Sequence, residues 1–295
     1  MLVRGARRWA GRLDTFNERL RVPEWREFPI RDLPAELIRQ VHQKIRLHGV
    51  SMVAARGDLD KHLCCSGTLV TVNEMRGILT ARHVWDVIRS SSILTLLVRG
   101  KPYYLKPNTL RAFAPRSQGI IETIGTKAPD IAFVQVPVLA VKDIEAYGKV
   151  FYSIDRRREN PDTASFNERG FWILSGCPQL LFDPSTGMVP SFLYDTFVDK
   201  YVSVDVWDYL FMNLSLNQNP EIPRAYGGMS GGGIWRAAFW MSPDQTEFAV
   251  EDEWRDILLS GIAFYQTGLD GRQIIGHGPK SLYSTLTDAH IHEVP

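Results

Sequence analysis

Residues 65–84 read CSGTLVTVNEMRGILTARHV. The runs SGTLVTV and RGILTAR are short and rich in β-branched and apolar residues, with a polar break between them, which is the pattern of consecutive strands. The second run ends in Thr80-Ala81-Arg82-His83, and HVWDVI after it reads as a short helical turn. A histidine at a strand end, beside small residues, projects into a cleft more readily than one in mid-strand. Imidazole changes charge near neutral pH, so His83 is a candidate general base, although the same ring could be an ordinary hydrogen-bonded histidine.

Outward from this stretch the rhythm continues. VSMVAAR, SILTLLV, PYYLKP and DIAFVQVP repeat it in the first half; FWILSGCP, VSVDVW, FMNLSL, GGGIWRAAFW, ILLSGIAFYQ and QIIGHG repeat it in the second. Short apolar runs broken by Gly, Pro and Asn define a mainly β, antiparallel barrel or sandwich. No repeat of 20–50 residues is visible, which argues against a propeller or solenoid. Before the first strand, DLPAELIRQVHQKIRLHG carries a capping-type Asp32, a proline in the first turn, Gly49 at the end, and Leu37, Ile38, Val41 and Ile45 at helical spacing. One amphipathic helix is predicted over 32–48. The chain divides into an arm and helix, 1–49, and a β domain, 50–295, whose halves meet near 140–165. DRRRENPDTASFNERG and MSPDQTEFAVEDE read as exposed loops.

The chain has 295 residues, 44% hydrophobic and 23% charged, with a net charge of +1 and a pI near 7.8. Such a balance gives no general electrostatic argument for nucleic acid. No apolar run is long enough to span a bilayer. The arginine-rich MLVRGARRWAGRLDTFNERLR contains Asp14 and Glu18 and lacks the apolar core of a secretory signal; it reads as a solvated arm or, together with the helix over 32–48, as a place for a protein partner or activator. Cys64, Cys65 and Cys177 form an odd count without metal-type spacing, which suits a reducing, cytoplasmic compartment. The terminal HIHE, with His290 and His292, lacks a third ligand nearby and reads as a flexible tail, so neither metal nor cofactor is expected.

Residues 226–235, YGGMSGGGIW, set Ser230 among glycines. Glycine opens backbone conformations closed to other residues at an entropic cost, so the cluster is either a loose loop or a tight turn presenting N–H groups. IWRAAFW follows at once, as expected of a strand anchoring a turn. A serine hydroxyl is a poor nucleophile until a base takes its proton, and a carboxylate that fixes the base completes the arrangement. The amides of Gly228 and Ser230 can turn into one shallow oxyanion pocket. Asp130, opening the apolar run in APDIAFVQV, is the carboxylate candidate, although an aspartate there can be a plain turn residue. Asp86 competes but lies on the far side of the helical turn.

These segments resemble the chymotrypsin/trypsin family of serine peptidases. CSGTLVTVNEMRGILTARHV is similar to the family's Cys-Gly-Gly-Ser-Leu strand and Thr-Ala-Ala-His segment, PDIAFVQV to Asp-Ile-Ala-Leu-Leu, and GMSGGG to Gly-Asp-Ser-Gly-Gly-Pro, in the family's order. The resemblance spans residues 50 to 287. It implies two six-stranded antiparallel β-barrels behind an N-terminal helix. It also implies His83 as general base, Asp130 as its partner, Ser230 as nucleophile, and Gly228 and Ser230 as the oxyanion hole. Phe264, Tyr265 and Gln266 would line the cleft, where a protein or peptide substrate adds a strand. Arg224, at the floor of the implied primary pocket, and His277, on the strand that resembles its far wall, would make that pocket basic; the alternative is that Arg224 belongs to a solvated loop, since long charged side chains usually reach water.

The departures from the family are specific. Val84 replaces the cysteine that follows the family's histidine, leaving Cys65 without that partner. Met229 replaces the aspartate used in zymogen activation, and Gly233 replaces a proline. Two other readings stand beside a serine endopeptidase. One is an inactive peptidase-fold binding module. The other takes Gly228-Met229-Ser230-Gly231-Gly232 as the nucleophile elbow of an α/β-hydrolase, which requires a parallel sheet interleaved with helices.

Overall fold

The computed structural model describes residues 34–55, 62–116, 118–122, 125–158, 171–183, 185–186, 192–214, 227–237, 240–241, 248–249, 257–267, 273–286 and 290–294. The arm before residue 34, Arg224 and most of the 241–253 loop lie outside them.

Helix α1 (Ala35–His48) turns Leu37, Val41 and Ile45 inward. Burial of such side chains contributes about 1.5–3 kcal/mol each. The strands of the first half follow: β1 (Gly49–Ala55), β2 (His62–Val72), β3 (Met75–Thr80), β4 (Ile93–Val98), β5 (Lys101–Leu105), β6 (Arg111–Ala114) and β7 (Ala132–Gln135), with helix α2 (Arg82–Ile88) after β3. They pair antiparallel in the order β6-β7-β3-β2-β1-β4-β5. Leu105 at one end of this path and Ala112 at the other belong to one buried cluster with Leu69 and Ile78. Asn73 and Glu74 both lie at positive φ, 49° and 63°, the two-residue turn whose twist matches that of its strands. Their amides donate to the Asp155 carboxylate at 2.8 and 3.0 Å.

Helices α3 (Val138–Ala146) and α4 (Ile154–Arg158) cross to the second half. There β8 (Phe171–Gly176), β9 (Phe192–Val204), β10 (Trp207–Leu214), β11 (Gly233–Ala237), β12 (Ile257–Thr267) and β13 (Gln273–His277) close an antiparallel barrel in the order β8-β9-β10-β13-β12-β11. Trp235 ties the halves together. It is fully buried, stacks on His48 at 5.4 Å, meets Tyr152 edge-on at 5.5 Å and donates its indole N–H to Ser175 Oγ at 2.9 Å. The fold is therefore mainly β, two antiparallel barrels behind a helix.

This architecture removes the α/β-hydrolase reading. Among the described residues the only parallel pairing is Tyr152–Ser153 against β2. Other local expectations also change. VSVDVW is not one strand: Asp205, at φ 55°, turns the chain between β9 and β10. The polar segment after residue 154 begins as helix α4, and Arg157 is buried, with its guanidinium 5.8 Å from the centre of the Tyr152 ring. The HIHE tail is not loose. Strand β14 (His292–Val294) pairs with β6, and Arg111 grips Glu293 through two bonds of 3.0 and 2.6 Å. The apolar stripe of α1 is packed against the protein's own core.

Among the described residues no helix is long and apolar enough to cross a membrane, and no group of three or more His, Cys, Asp or Glu is placed to hold a metal.

Candidate active site

His83 sits in the first turn of α2, immediately beyond β3. Its backbone N–H donates to Asp130 Oδ1 at 3.0 Å, and its Nδ1 lies 2.6 Å from Asp130 Oδ2. The imidazole is 52% exposed and the carboxylate 11%. Both carboxylate oxygens are thus turned to one residue, which holds the ring with its other nitrogen toward the cleft. Asp86 is elsewhere, paired with Arg89 at 3.2 Å on the outer side of α2.

Ser230 enters the same cleft from the second barrel. It lines a cavity of about 490 Å³ with His83, Asp130, Gly227, Phe264, Tyr265 and Gln266 among its neighbours. In this state the serine hydroxyl donates to the Phe264 carbonyl at 3.3 Å rather than to His83. Catalytic hydrogen bonds are often loose in unliganded sites and tighten around substrate.

The glycine cluster is a fixed turn. Gly228 lies at φ +92°, and a Cβ there would meet the Cys177 carbonyl at 2.6 Å and the Gln179 amide at 2.7 Å. Gly231 lies at φ +89°, where a Cβ would fall 2.0 Å from the Ser66 carbonyl. The Gln179 N–H holds the Gly227 carbonyl at 2.6 Å. A trans peptide points its C=O and N–H in opposite directions, so this bond aims the Gly228 amide away from Gln179. Ser66 takes an N–H from Cys177 at 2.8 Å and donates to the Gly228 carbonyl at 2.6 Å. Its own amide donates to the Ser230 carbonyl at 3.1 Å. Among the described residues the amides of Gly228 and Ser230 have no acceptor, which leaves two donors for a developing oxyanion.

Met229, between them, is buried with Leu174, Tyr194, Leu210, Met212, Ile234, Ala263 and Ile274. An apolar plug thus fills the space beneath the turn.

Of the residues expected along the cleft, Tyr265 and Gln266 line it with exposed or half-exposed side chains. Phe264 contributes its carbonyl, which accepts the Ser230 hydroxyl; its ring is buried against His277 at 4.9 Å. His277 is a correction. It is fully buried and does not line the cavity, so it is no pocket wall. Burial lowers its pKa to about 4 against the opposing charges of Asp130 and Asp208. Its Nε2 accepts the Asp130 backbone N–H at 3.0 Å. The sequence reading missed Gln118, Thr126 and Lys127, which reach the cleft from a small hairpin (Gly119–Ile121 with Thr126–Ala128). It also missed Ser66, whose signal was its place in CSGTL opposite the turn.

No protein-family model matches the chain, and no curated protein sequence does. Solved structures similar to it are proteases. The Rv3671c protease from M. tuberculosis, in its active form, is 13% identical over 93% of this chain and 95% of that one, with a TM-score of 0.46. Tobacco etch virus protease complexed with product is 13% identical over 86% and 82%, with a TM-score of 0.43. The thermostable serine protease AL20 from an extremophilic microorganism is 12% identical over 79% and 91%, with a TM-score of 0.42. At such distance the chemistry has to be argued from this chain's own residues.

Proposed function

We propose that the chain is a serine endopeptidase. The observation that carries this reading is the meeting, in one cleft, of an aspartate-held imidazole, a serine and two unengaged amides fixed by a rigid turn. His83 Nε2 takes the Ser230 proton as Oγ attacks a peptide carbonyl carbon. The carbonyl oxygen becomes an oxyanion held by the Gly228 and Ser230 amides. His83 then protonates the leaving amine, giving an acyl-enzyme, and by the same route activates the water that releases the acid. Asp130 holds the tautomer and stabilises the imidazolium.

A peptide substrate suits the geometry. Among the described residues β12 pairs with β11 only as far as Ile262, so the stretch of β12 beyond it runs past Ser230 where a substrate could add a strand. A substrate protein is the partner this implies; the N-terminal arm is the segment for any other. Three buried cysteines, none in a disulfide, favour a reducing, cytoplasmic setting.

The bond from Ser230 to the Phe264 carbonyl favours the second reading, a binding module on the same fold. A fluorophosphonate probe separates them: covalent labelling of Ser230 supports the peptidase, and a folded chain that never labels supports the module.

A further inference from the structure

The Asp130 carboxylate receives its hydrogen bonds from His83 alone among the described residues. A carboxylate held only by the residue it orients has to be anchored through its own backbone. Asp130 follows Pro129, which has no N–H, so the Asp130 amide is the first donor of this segment and, being buried, requires a partner. That partner is a side chain from the other barrel, His277 Nε2, at 3.0 Å.

Because Nε2 accepts, the proton of a neutral His277 lies on Nδ1, which faces Ser281 Oγ at 3.4 Å. Ser281 Oγ in turn donates to Asp208 Oδ1 at 2.6 Å and accepts the Asp208 amide at 3.0 Å. Asp208 is fully buried, and its carboxylate also takes the Ser281 and Lys280 amides at 2.6 and 3.0 Å and the Tyr201 hydroxyl at 2.9 Å. The His277 ring is walled by Trp207, Tyr209 and Phe264 at centroid distances of 5.6, 5.1 and 4.9 Å. Every polar atom of the chain Asp208–Ser281–His277 is matched, and the chain ends on the backbone of Asp130.

We infer that His277 is a positioning residue for the reaction proposed above. Held as its Nδ1–H tautomer by Ser281 and Asp208, it fixes the Asp130 backbone and through it the His83 imidazole. This inference rests on the peptidase reading for its kinetic consequence but not for its geometry.

The test combines two readouts on the full chain. In ¹⁵N spectra of the wild type, His277 should show the neutral Nδ1–H tautomer at pH 7, and a low-field proton resonance should report the His83–Asp130 bond. His277→Phe keeps the ring volume and removes the acceptor. It should slow fluorophosphonate labelling at least tenfold through the inactivation rate rather than probe affinity, and shift or abolish the low-field resonance while the chain stays folded. His277→Gln, which restores an acceptor, should recover most of both. An Nε2–H tautomer in the wild type overturns the inference without any variant. So does a folded His277→Phe protein with wild-type labelling rate and low-field resonance. If the wild type does not label at all, the peptidase reading fails, and the tautomer and resonance still decide the positioning role.

Discussion

The Gln179 amide holds the Gly227 carbonyl at 2.6 Å, and this bond turns the next amide in the chain, that of Gly228, toward the cleft beside Ser230. The two amides proposed as oxyanion donors are therefore held by contacts within the folded chain, with Ser66 as the second clasp.

Loosening either contact should be visible in rate. Ser66→Ala removes the hydroxyl that joins Cys177 to Gly228, and labelling by a fluorophosphonate should slow about 10- to 100-fold, part of the 10²–10³ lost with a whole donor. Gly228→Ala forces a Cβ into the Cys177 carbonyl at an unfavourable φ and should cost more than Ser66→Ala. Wild-type labelling rates in both variants would show that the turn does not depend on these contacts.

Met229 bears on maturation. A new N-terminal ammonium inserted beside the serine would lie in an apolar cluster without a counter-charge, at a cost of several kcal/mol. A chain with an N-terminal fusion tag should label as fast as the untagged chain. Activity that appears only after a cut freeing an Ile or Val N-terminus would contradict this.

The cysteines should be silent. Cys64, Cys65 and Cys177 are buried and in no disulfide, and burial pushes the Cys64 thiol up to about 12 and Cys65 higher still. A thiol-disulfide reagent at pH 8 should modify them only as fast as the protein unfolds, and millimolar reductant should leave melting temperature unchanged. Rapid stoichiometric modification of the native chain, or a drop of several degrees in reductant, would count against it.

His277 makes stability depend on acid. In the fold it titrates at about 4, against 6.5 for an ordinary histidine, because burial disfavours its cation. Above pH 6.5 both states leave it neutral. Below that the unfolded chain takes up the proton first, so the contribution is present above pH 6.5 and is lost as pH falls through about 4. The whole loss is about 3 kcal/mol. His48, also held near 4 chiefly by burial, acts in the same direction. The fall in denaturant midpoint between pH 7 and 4 should be smaller in His277→Gln than in the wild type; equal falls would contradict the assignment.

His83, Asp130 and Ser230 were legible in the sequence because each sits in a short segment whose local pattern places it: a strand end, the start of an apolar run, a glycine turn before a strand. The strand rhythm was legible for the same reason. His277 was not, because its partner is a backbone amide in the other barrel, and side-chain type alone does not reveal whether a strand histidine faces a pocket or the core. Phe264 was half legible: its ring turns inward at a shift in strand register, which the sequence does not mark, and its carbonyl meets Ser230. VSVDVW hides a turn because Asp205 adopts a positive φ without a neighbouring glycine. The tail hides a strand because its pairing with β6 joins residues far apart in sequence.

The central claim is tested most directly by fluorophosphonate labelling of the wild type beside His83→Ala, Asp130→Asn and Ser230→Ala. Loss of a triad member costs on the order of 10⁴–10⁶ in rate in serine peptidases. The account predicts one probe molecule bound at Ser230 in the wild type, none in Ser230→Ala or His83→Ala, and severely slowed labelling in Asp130→Asn. Equal labelling of wild type and His83→Ala would contradict it.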